Sequence, residues 1–101
     1  MFHVTTERKA KLYRQTGFIR QPVRGFDTLL AAMAWAIKTG RKVIYKVEFQ
    51  GNTWLLPDHH NQYGSAYWCD KDVPVSAIRC EYSGGGSNPE LREELRDELR
   101  H

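Results

Sequence analysis

The feature that most constrains this chain is the segment Leu29–Ile37, LLAAMAWAI, which is apolar nearly all the way round a helix. Asp27 before it is a good N-cap and Gly40 after it is a good C-terminal stop, so the segment is predicted to be a helix. A helix that is apolar on nearly every side is normally buried against a sheet. The rest of this 101-residue chain, enough for one domain, must therefore supply the strands.

Strand patterns occur on both sides of this helix. Residues 42–49 alternate strictly between two faces, which predicts a half-covered strand. A second helix is predicted over residues 7–15, with Thr5 or Thr6 as its N-cap and Gly17 at its end. Shorter strands are predicted at residues 2–4, 53–56, 65–69 and 78–82. This order predicts a small α+β domain with a mixed or antiparallel sheet of about five to six short strands and two packed helices.

The last part of the chain differs in composition. Gly84 to Ser87 predict a flexible linker over residues 84–89, which leaves residues 1–83 as the domain. A charged helix is predicted over residues 90–101, where an apolar stripe recurs every four residues at Leu91, Leu95 and Leu99. An isolated helix this short is marginal in water. Its stripe is therefore predicted to dock on the chain's own core, on a partner, or on a second copy.

Charge is unevenly distributed along the sequence. The net charge is +3, yet residues 1–46 hold ten Lys or Arg side chains and only two acids, Glu7 and Asp27. Such an excess suits a polyanionic partner, so the basic residues of 8–46 predict contact with nucleic acid or with a phosphate-bearing cofactor. The alternative is a solvated helix face, because several of these cations crowd the first predicted helix.

Composition also bears on the cellular compartment of the protein. No apolar run approaches the roughly 20 residues of a membrane helix, and the first residues lack the apolar core of a secretory signal. Cys69 and Cys80 are too few for a disulfide framework. These features predict a cytoplasmic protein that does not enter a membrane.

Most familiar catalytic motifs are missing from the sequence. It contains no phosphate-binding P-loop, no Gly-x-Gly-x-x-Gly, no Gly-x-Ser-x-Gly and no His-Glu-x-x-His. The common NTPase, Rossmann, α/β-hydrolase and zincin classes are therefore excluded. A metal site is not predicted either, because the candidate ligands lack paired zinc spacing: His3, His59, His60, Cys69 and Cys80.

Five short motifs follow one another in a definite order. They are Phe2–Thr6, Gly17–Ile19, Arg24–Thr28 followed by Ala31–Gly40, Val43–Val47, and Gly64–Trp68 with Val73, Pro74 and Ile78. In this order they resemble the core of the ADP-ribosyltransferase-like superfamily, and most of all the C-terminal lobe of the RNA 2′-phosphotransferases. The resemblance covers residues 2–80. The N-terminal lobe of those enzymes, which supplies RNA contacts and catalytic residues, has no counterpart in this sequence.

The resemblance implies an ADP-ribosyltransferase-like fold and NAD as cofactor. Carried over to this sequence, it implies that His3 and Thr5 hold the nucleotide and that Tyr67 lies in the cofactor site. It makes Arg24 a phosphate contact, which suits the match between a guanidinium fork and phosphate oxygens.

The resemblance also predicts the catalytic groups. Other members of the superfamily use a glutamate on a late strand, and this sequence has no acid there before Asp70. A substitute within about 3 Å of the reacting proton would have to come from Asp70 or from the polar loop around His59, His60 and Gln62. Together with His3, the loop residues His59, His60 and Gln62 are the predicted catalytic residues.

These observations leave hypotheses of different classes open. One is a minimal enzyme that binds NAD and transfers ADP-ribose to a nucleic-acid or protein acceptor. Another is a catalytically inactive relative that binds nucleic acid, a nucleotide or a protein partner through the same cleft or its basic face. A third is an interaction module that acts through the C-terminal helix.

Overall fold

The computed structural model describes residues 1–57 and 62–100. Its strands are β1 Phe2–Thr5, β2 Phe18–Ile19, β3 Val23–Phe26, β4 Val43–Val47, β5 Thr53–Leu55, β6 Ala66–Cys69, β7 Val73–Pro74 and β8 Ile78–Tyr82. Its helices are α1 Glu7–Thr16, α2 Leu29–Thr39 and α3 Pro89–Leu99, with short 3-10 turns at Val75–Ala77 and Gly85–Ser87.

A six-stranded sheet, in the order β5-β6-β3-β1-β4-β8, forms the centre of the molecule. Its neighbouring strands pair antiparallel. The short strands β2 and β7 pair separately, also antiparallel. The predicted small α+β domain with an antiparallel sheet is confirmed, and β1, the first strand in the chain, lies between β3 and β4 in its interior.

The two faces of the sheet carry different helices. Phe2 and Val4 belong to the buried cluster that includes α2 and Leu91 of α3. A second buried cluster, on the other face, contains Ala10 of α1. Because successive residues of a strand point to opposite faces, His3 and Thr5 face the α1 side of the sheet. Both are buried polar residues in a strand that is otherwise apolar.

Helix α1 begins and ends where the sequence predicts. The Thr6 hydroxyl is its N-cap and accepts a hydrogen bond from the Lys9 N–H at 3.1 Å. Gly17 follows the helix in the left-handed conformation with φ 83°, which favours glycine. Within this helix, the Tyr13 hydroxyl reaches His3 and Thr5 of β1.

Helix α2 is confirmed, although its first residue differs from the prediction. Thr28 is the N-cap, so the prediction of Asp27 in that role is wrong. The Asp27 carboxylate instead accepts a hydrogen bond from the Ser65 N–H at 2.8 Å, which ties α2 to a segment far along the chain. Five residues of α2 are buried, but Ile37 is 73% exposed, so one side of this apolar helix is uncovered.

Helix α3 packs on the chain's own core. Leu91 is only 1% exposed and Leu95 packs against the same cluster, whereas Leu99 is 64% exposed. The Glu98 carboxylate accepts hydrogen bonds from the first two backbone N–H groups of α2, at 2.6 and 2.8 Å. Of the three leucines in the stripe, Leu91 and Leu95 therefore dock on the chain's own core, as one of the alternatives predicts. Leu99 stays exposed and is available to a partner or a second copy.

The longest of the described helices, α2 and α3, have 11 residues each. Among the residues that the structure describes, no helix is both long and apolar enough to cross a membrane.

Candidate functional site

The candidate site is a cleft between the central strands β1 and β3. These strands pair through Phe2 and Phe26, whereas β1 pairs with β4 over four successive residues. Beyond Phe26, the Arg24 carbonyl accepts a hydrogen bond from the His3 side chain, Nδ1 to O at 2.6 Å. A cavity of about 320 Å³ opens there, lined by residues of β1, α1, β3 and α2. The His3 side chain thus hydrogen-bonds to the backbone of β3 at the point where the cavity opens.

A chain of hydrogen bonds fixes the polar groups in this cleft. A carbonyl oxygen can only accept, so Nδ1 of His3 carries the ring proton and Nε2 is an acceptor. The Tyr13 hydroxyl lies 3.2 Å from Nε2 and donates to it. The Tyr13 oxygen in turn accepts from the Thr5 hydroxyl at 3.3 Å. The three side chains therefore hold one another in a single arrangement.

His3 is electrically neutral near pH 7. Burial lowers its pKa from the ordinary 6.5 to about 4 because desolvation disfavours the imidazolium. The hydrogen bond to the Arg24 carbonyl opposes this shift, and the charges of Lys9 and Arg41 add to it. A neutral histidine adds no charge of its own, so the field in the cleft comes from the surrounding cations.

Four basic side chains line the cleft: Lys9, Arg20, Arg24 and Arg41. The Arg20 guanidinium is paired with the Asp72 carboxylate at 2.8 Å. In the described part of the chain, no carboxylate forms an ion pair with Lys9, Arg24 or Arg41. No acidic side chain is among the described residues that line the cavity. The cleft therefore presents positive charge that an anionic ligand could neutralise.

A second cavity, of about 360 Å³, adjoins the cleft. Phe26 and Trp35 line both cavities, and their ring centres are 6.1 Å apart. The lining of the second cavity also includes Gln62 and Tyr63, and the Nζ of Lys38 lies 5.8 Å from the centre of the Trp35 ring. This cavity is mainly aromatic and aliphatic, in contrast to the cationic cleft beside it.

Comparison with known proteins finds no relative. No family model, curated protein or solved structure matches this chain. The resemblance of residues 2–80 to the ADP-ribosyltransferase-like superfamily stays a prediction, and the function is inferred from the cleft itself.

The structure gathers most of the predicted site residues that it describes. His3, Thr5 and Arg24 line the cationic cleft, and Gln62 lines the adjoining cavity. Tyr67 is half-buried on β6 and lines neither of them. Three of the residues assigned to the nucleotide are therefore together, and Tyr67 is not among the residues that line their cleft.

The remaining predicted catalytic residues, His59 and His60, lie outside the described residues. Asp70 follows β6 and does not line the cleft. Within residues 1–57 and 62–100, no group of three or more His, Cys, Asp or Glu side chains is placed to hold a metal ion.

Sequence reasoning gave no role in the site to Tyr13 or Trp35, and it placed Lys9, Arg20 and Arg41 only within the general basic region of residues 8–46. Lys9 and Tyr13 are four residues apart on α1, a spacing that places two side chains on one helix face. That signal is visible in the sequence, but which face of α1 meets β1 is not. Arg41 follows the glycine that ends α2, and nothing in its neighbourhood indicates that it returns to His3.

Proposed function

We propose that this chain binds NAD, or another nucleotide that contains ADP-ribose, with the phosphates in the cleft between β1 and β3. The observation that carries the proposal is the group of three cations without a carboxylate partner in the described chain, Lys9, Arg24 and Arg41, around one concave site. A diphosphate carries several oxygens that accept from such donors. Charge-assisted hydrogen bonds of this kind are about twice as strong as neutral ones.

The polar groups on the floor of the cleft support the same ligand class. Arg24 and Arg41 present planar guanidinium forks, which match phosphate oxygens two at a time. His3 stays neutral at physiological pH, so the positive charge offered to a phosphate comes from the lysine and arginine side chains of the cleft. The Tyr13 hydroxyl keeps an oxygen lone pair for a ribose hydroxyl, since it donates once and accepts once within the protein.

The test is a calorimetric titration of NAD and ADP-ribose into the full chain and into lysine variants of α1. Lys9→Ala removes a cation of the cleft, whereas Lys11→Ala removes an exposed cation of the same helix that does not line it. We expect saturable binding to the wild type, a loss of about tenfold in affinity for Lys9→Ala, and no change for Lys11→Ala. His3→Ala should also weaken binding while leaving the far-UV circular dichroism unchanged.

Two results would count against the proposal. If neither NAD nor ADP-ribose binds the wild type, the cleft is not a site for this ligand class. If Lys9→Ala and Lys11→Ala weaken binding equally, attraction is set by overall charge and not by the cleft.

Transfer of ADP-ribose, which the resemblance predicts, needs groups beyond those that bind the nucleotide. Of its predicted catalytic residues, His3 is hydrogen-bonded through both ring nitrogens and Gln62 lies in the adjoining cavity. We therefore propose binding of the nucleotide and not its transfer.

A second candidate function, binding of single-stranded nucleic acid, is favoured by a different observation. Trp54 and Trp68 stack on neighbouring strands with ring centres 4.5 Å apart and an interplanar angle of 23°, and Trp54 is 41% exposed. Arg24 is opposite Trp68 in the ladder between β3 and β6. Exposed aromatic rings next to cations are typical of proteins on which bases stack while phosphates are neutralised.

A fluorescent single-stranded oligonucleotide tests this candidate. Binding should weaken steeply with salt, and Trp54→Ala should weaken it by about fivefold or more, since stacking on one aromatic ring contributes about 1–3 kcal/mol. Leu55→Ala, at the next and also exposed residue of β5, is the matched control. Equal affinities for both variants and the wild type would argue against the tryptophan surface as a base platform.

A further inference from the structure

The adjoining cavity differs from the cationic cleft in the chemistry of its walls. We propose that it receives the planar base of the nucleotide whose phosphates bind in the cleft, with Tyr63 and Trp35 as the aromatic contacts. The inference rests on the proposed function, and it assigns a base-binding subsite to residues that carry no phosphate-binding role.

The two cavities share two aromatic lining residues. Phe26 and Trp35 line both, so a ligand that enters the cleft meets the same two rings as a ligand in the adjoining cavity. Each cavity falls in the range of about 300–1,000 Å³ that is common for small-molecule sites. The ADP part of the proposed ligand has the matching division, with a charged diphosphate at one end and an uncharged adenine ring at the other.

The walls of the second cavity suit a base better than a second anion. The Trp35 and Tyr63 rings offer aromatic surfaces, and base stacking on such rings tolerates any base. Gln62 adds an amide that can both donate to and accept from the edge of a base. Lys38 is the only cation on the described lining, and its Nζ lies over the Trp35 ring.

The segment that carries Gln62 and Tyr63 is tied to the start of α2. The Thr28 hydroxyl donates to the Tyr63 carbonyl at 3.4 Å, and the Ser65 N–H donates to the Asp27 carboxylate at 2.8 Å. Tyr63 is 52% exposed, so its ring is accessible from solvent and is not part of the buried core. These backbone ties place an exposed ring beside α2 without burying it.

The experiment compares two ligands that share a diphosphate. ADP and inorganic pyrophosphate are titrated into the full-length wild type and into Tyr63→Ala and Tyr63→Phe. We expect Tyr63→Ala to weaken ADP binding by about tenfold or more and to leave pyrophosphate binding unchanged. Tyr63→Phe keeps the ring and should bind both ligands as the wild type does. Because Tyr63 is exposed, the far-UV spectrum of both variants should match that of the wild type.

The outcomes separate the two proposals. If ADP binds the wild type and Tyr63→Ala equally well, the base subsite is overturned while the phosphate cleft stands. If Tyr63→Phe loses as much affinity for ADP as Tyr63→Ala, the contact is a hydroxyl hydrogen bond and stacking is overturned. If neither ADP nor pyrophosphate binds the wild type, the proposed function fails, and the base subsite fails with it.

Discussion

His3 is buried as a neutral imidazole, so acid should destabilise the protein partly through this one side chain. Its pKa is about 4 in the folded protein, because burial disfavours the charged ring, and about 6.5 when the chain is unfolded. Between these values the unfolded chain binds a proton that the folded chain does not. The free energy of unfolding must therefore fall as the pH falls through this window, and the contribution is fully present above about pH 6.5.

The size of the effect follows from the pKa difference. At about 1.4 kcal/mol for each pKa unit, the whole window corresponds to about 3 kcal/mol. Near pH 5, where most of the unfolded chain is protonated at His3 and little of the folded chain is, the loss is about 2 kcal/mol. A domain of this size is stable by only about 5–15 kcal/mol, so the loss is large enough to measure.

His3→Gln removes the titration and keeps an uncharged side chain that can donate and accept. Urea unfolding of the wild type and this variant, followed by tryptophan fluorescence at pH 7, 6 and 5, gives the free energy of unfolding at each pH. Other acids and bases titrate in both proteins, so they cancel in the difference. We expect the wild type to lose about 2 kcal/mol more than His3→Gln between pH 7 and pH 5.

Two measurements would refute this reasoning. Parallel pH profiles for the wild type and His3→Gln would mean that His3 is not desolvated in the folded protein. A proton NMR titration that gives His3 a pKa near 6.5 would mean the same.

Three further predictions concern stability and use urea unfolding at neutral pH. A methyl group at Gly64 would lie 2.5 Å from the N-cap hydroxyl of α2, so Gly64→Ala should cost about 1–3 kcal/mol, and an unchanged midpoint would contradict the close packing there. Glu98→Gln should cost about 1 kcal/mol because the carboxylate caps α2, whereas Glu93→Gln on the exposed side of α3 should cost almost nothing. Leu91→Ala should cost about 2–5 kcal/mol and Leu99→Ala less than about 0.5 kcal/mol; equal effects would mean that α3 does not dock as described.

The elements that the sequence predicts best are those with local signals. Thr6 and Gly17 mark the ends of α1, and both act at the positions expected of them. The N-cap of α2 was misplaced by one residue, because Asp27 has a long-range partner in Ser65 that no local pattern reveals. The Asp27 carboxylate accepts a hydrogen bond from that distant N–H, and the Thr28 hydroxyl is the N-cap of α2.

The candidate site was predictable in part. His3, Thr5 and Arg24 were assigned to one site through the order of motifs, and the structure places all three around the cleft. Tyr13 was not found, because its role depends on α1 lying across β1 so that its hydroxyl reaches His3. Tyr67 is assigned to the same site by the resemblance, but it does not line the cleft, although its neighbour Ala66 and its β3 partner Gly25 do.

The sequence by itself determined the α+β class, the buried helix α2 and the basic character of the first half of the chain. These depend on periodicity, capping residues and charge, which are properties of neighbouring residues. Only the tertiary structure decided where the positive charge is concentrated and what the leucine stripe of α3 covers. Lys9 lies in the first turn of α1, whereas Arg41 follows the C-terminal end of α2. Their charges both lower the pKa of His3, because the fold brings these two helix ends to β1. Such a meeting depends on strand register and helix packing, which no local pattern specifies.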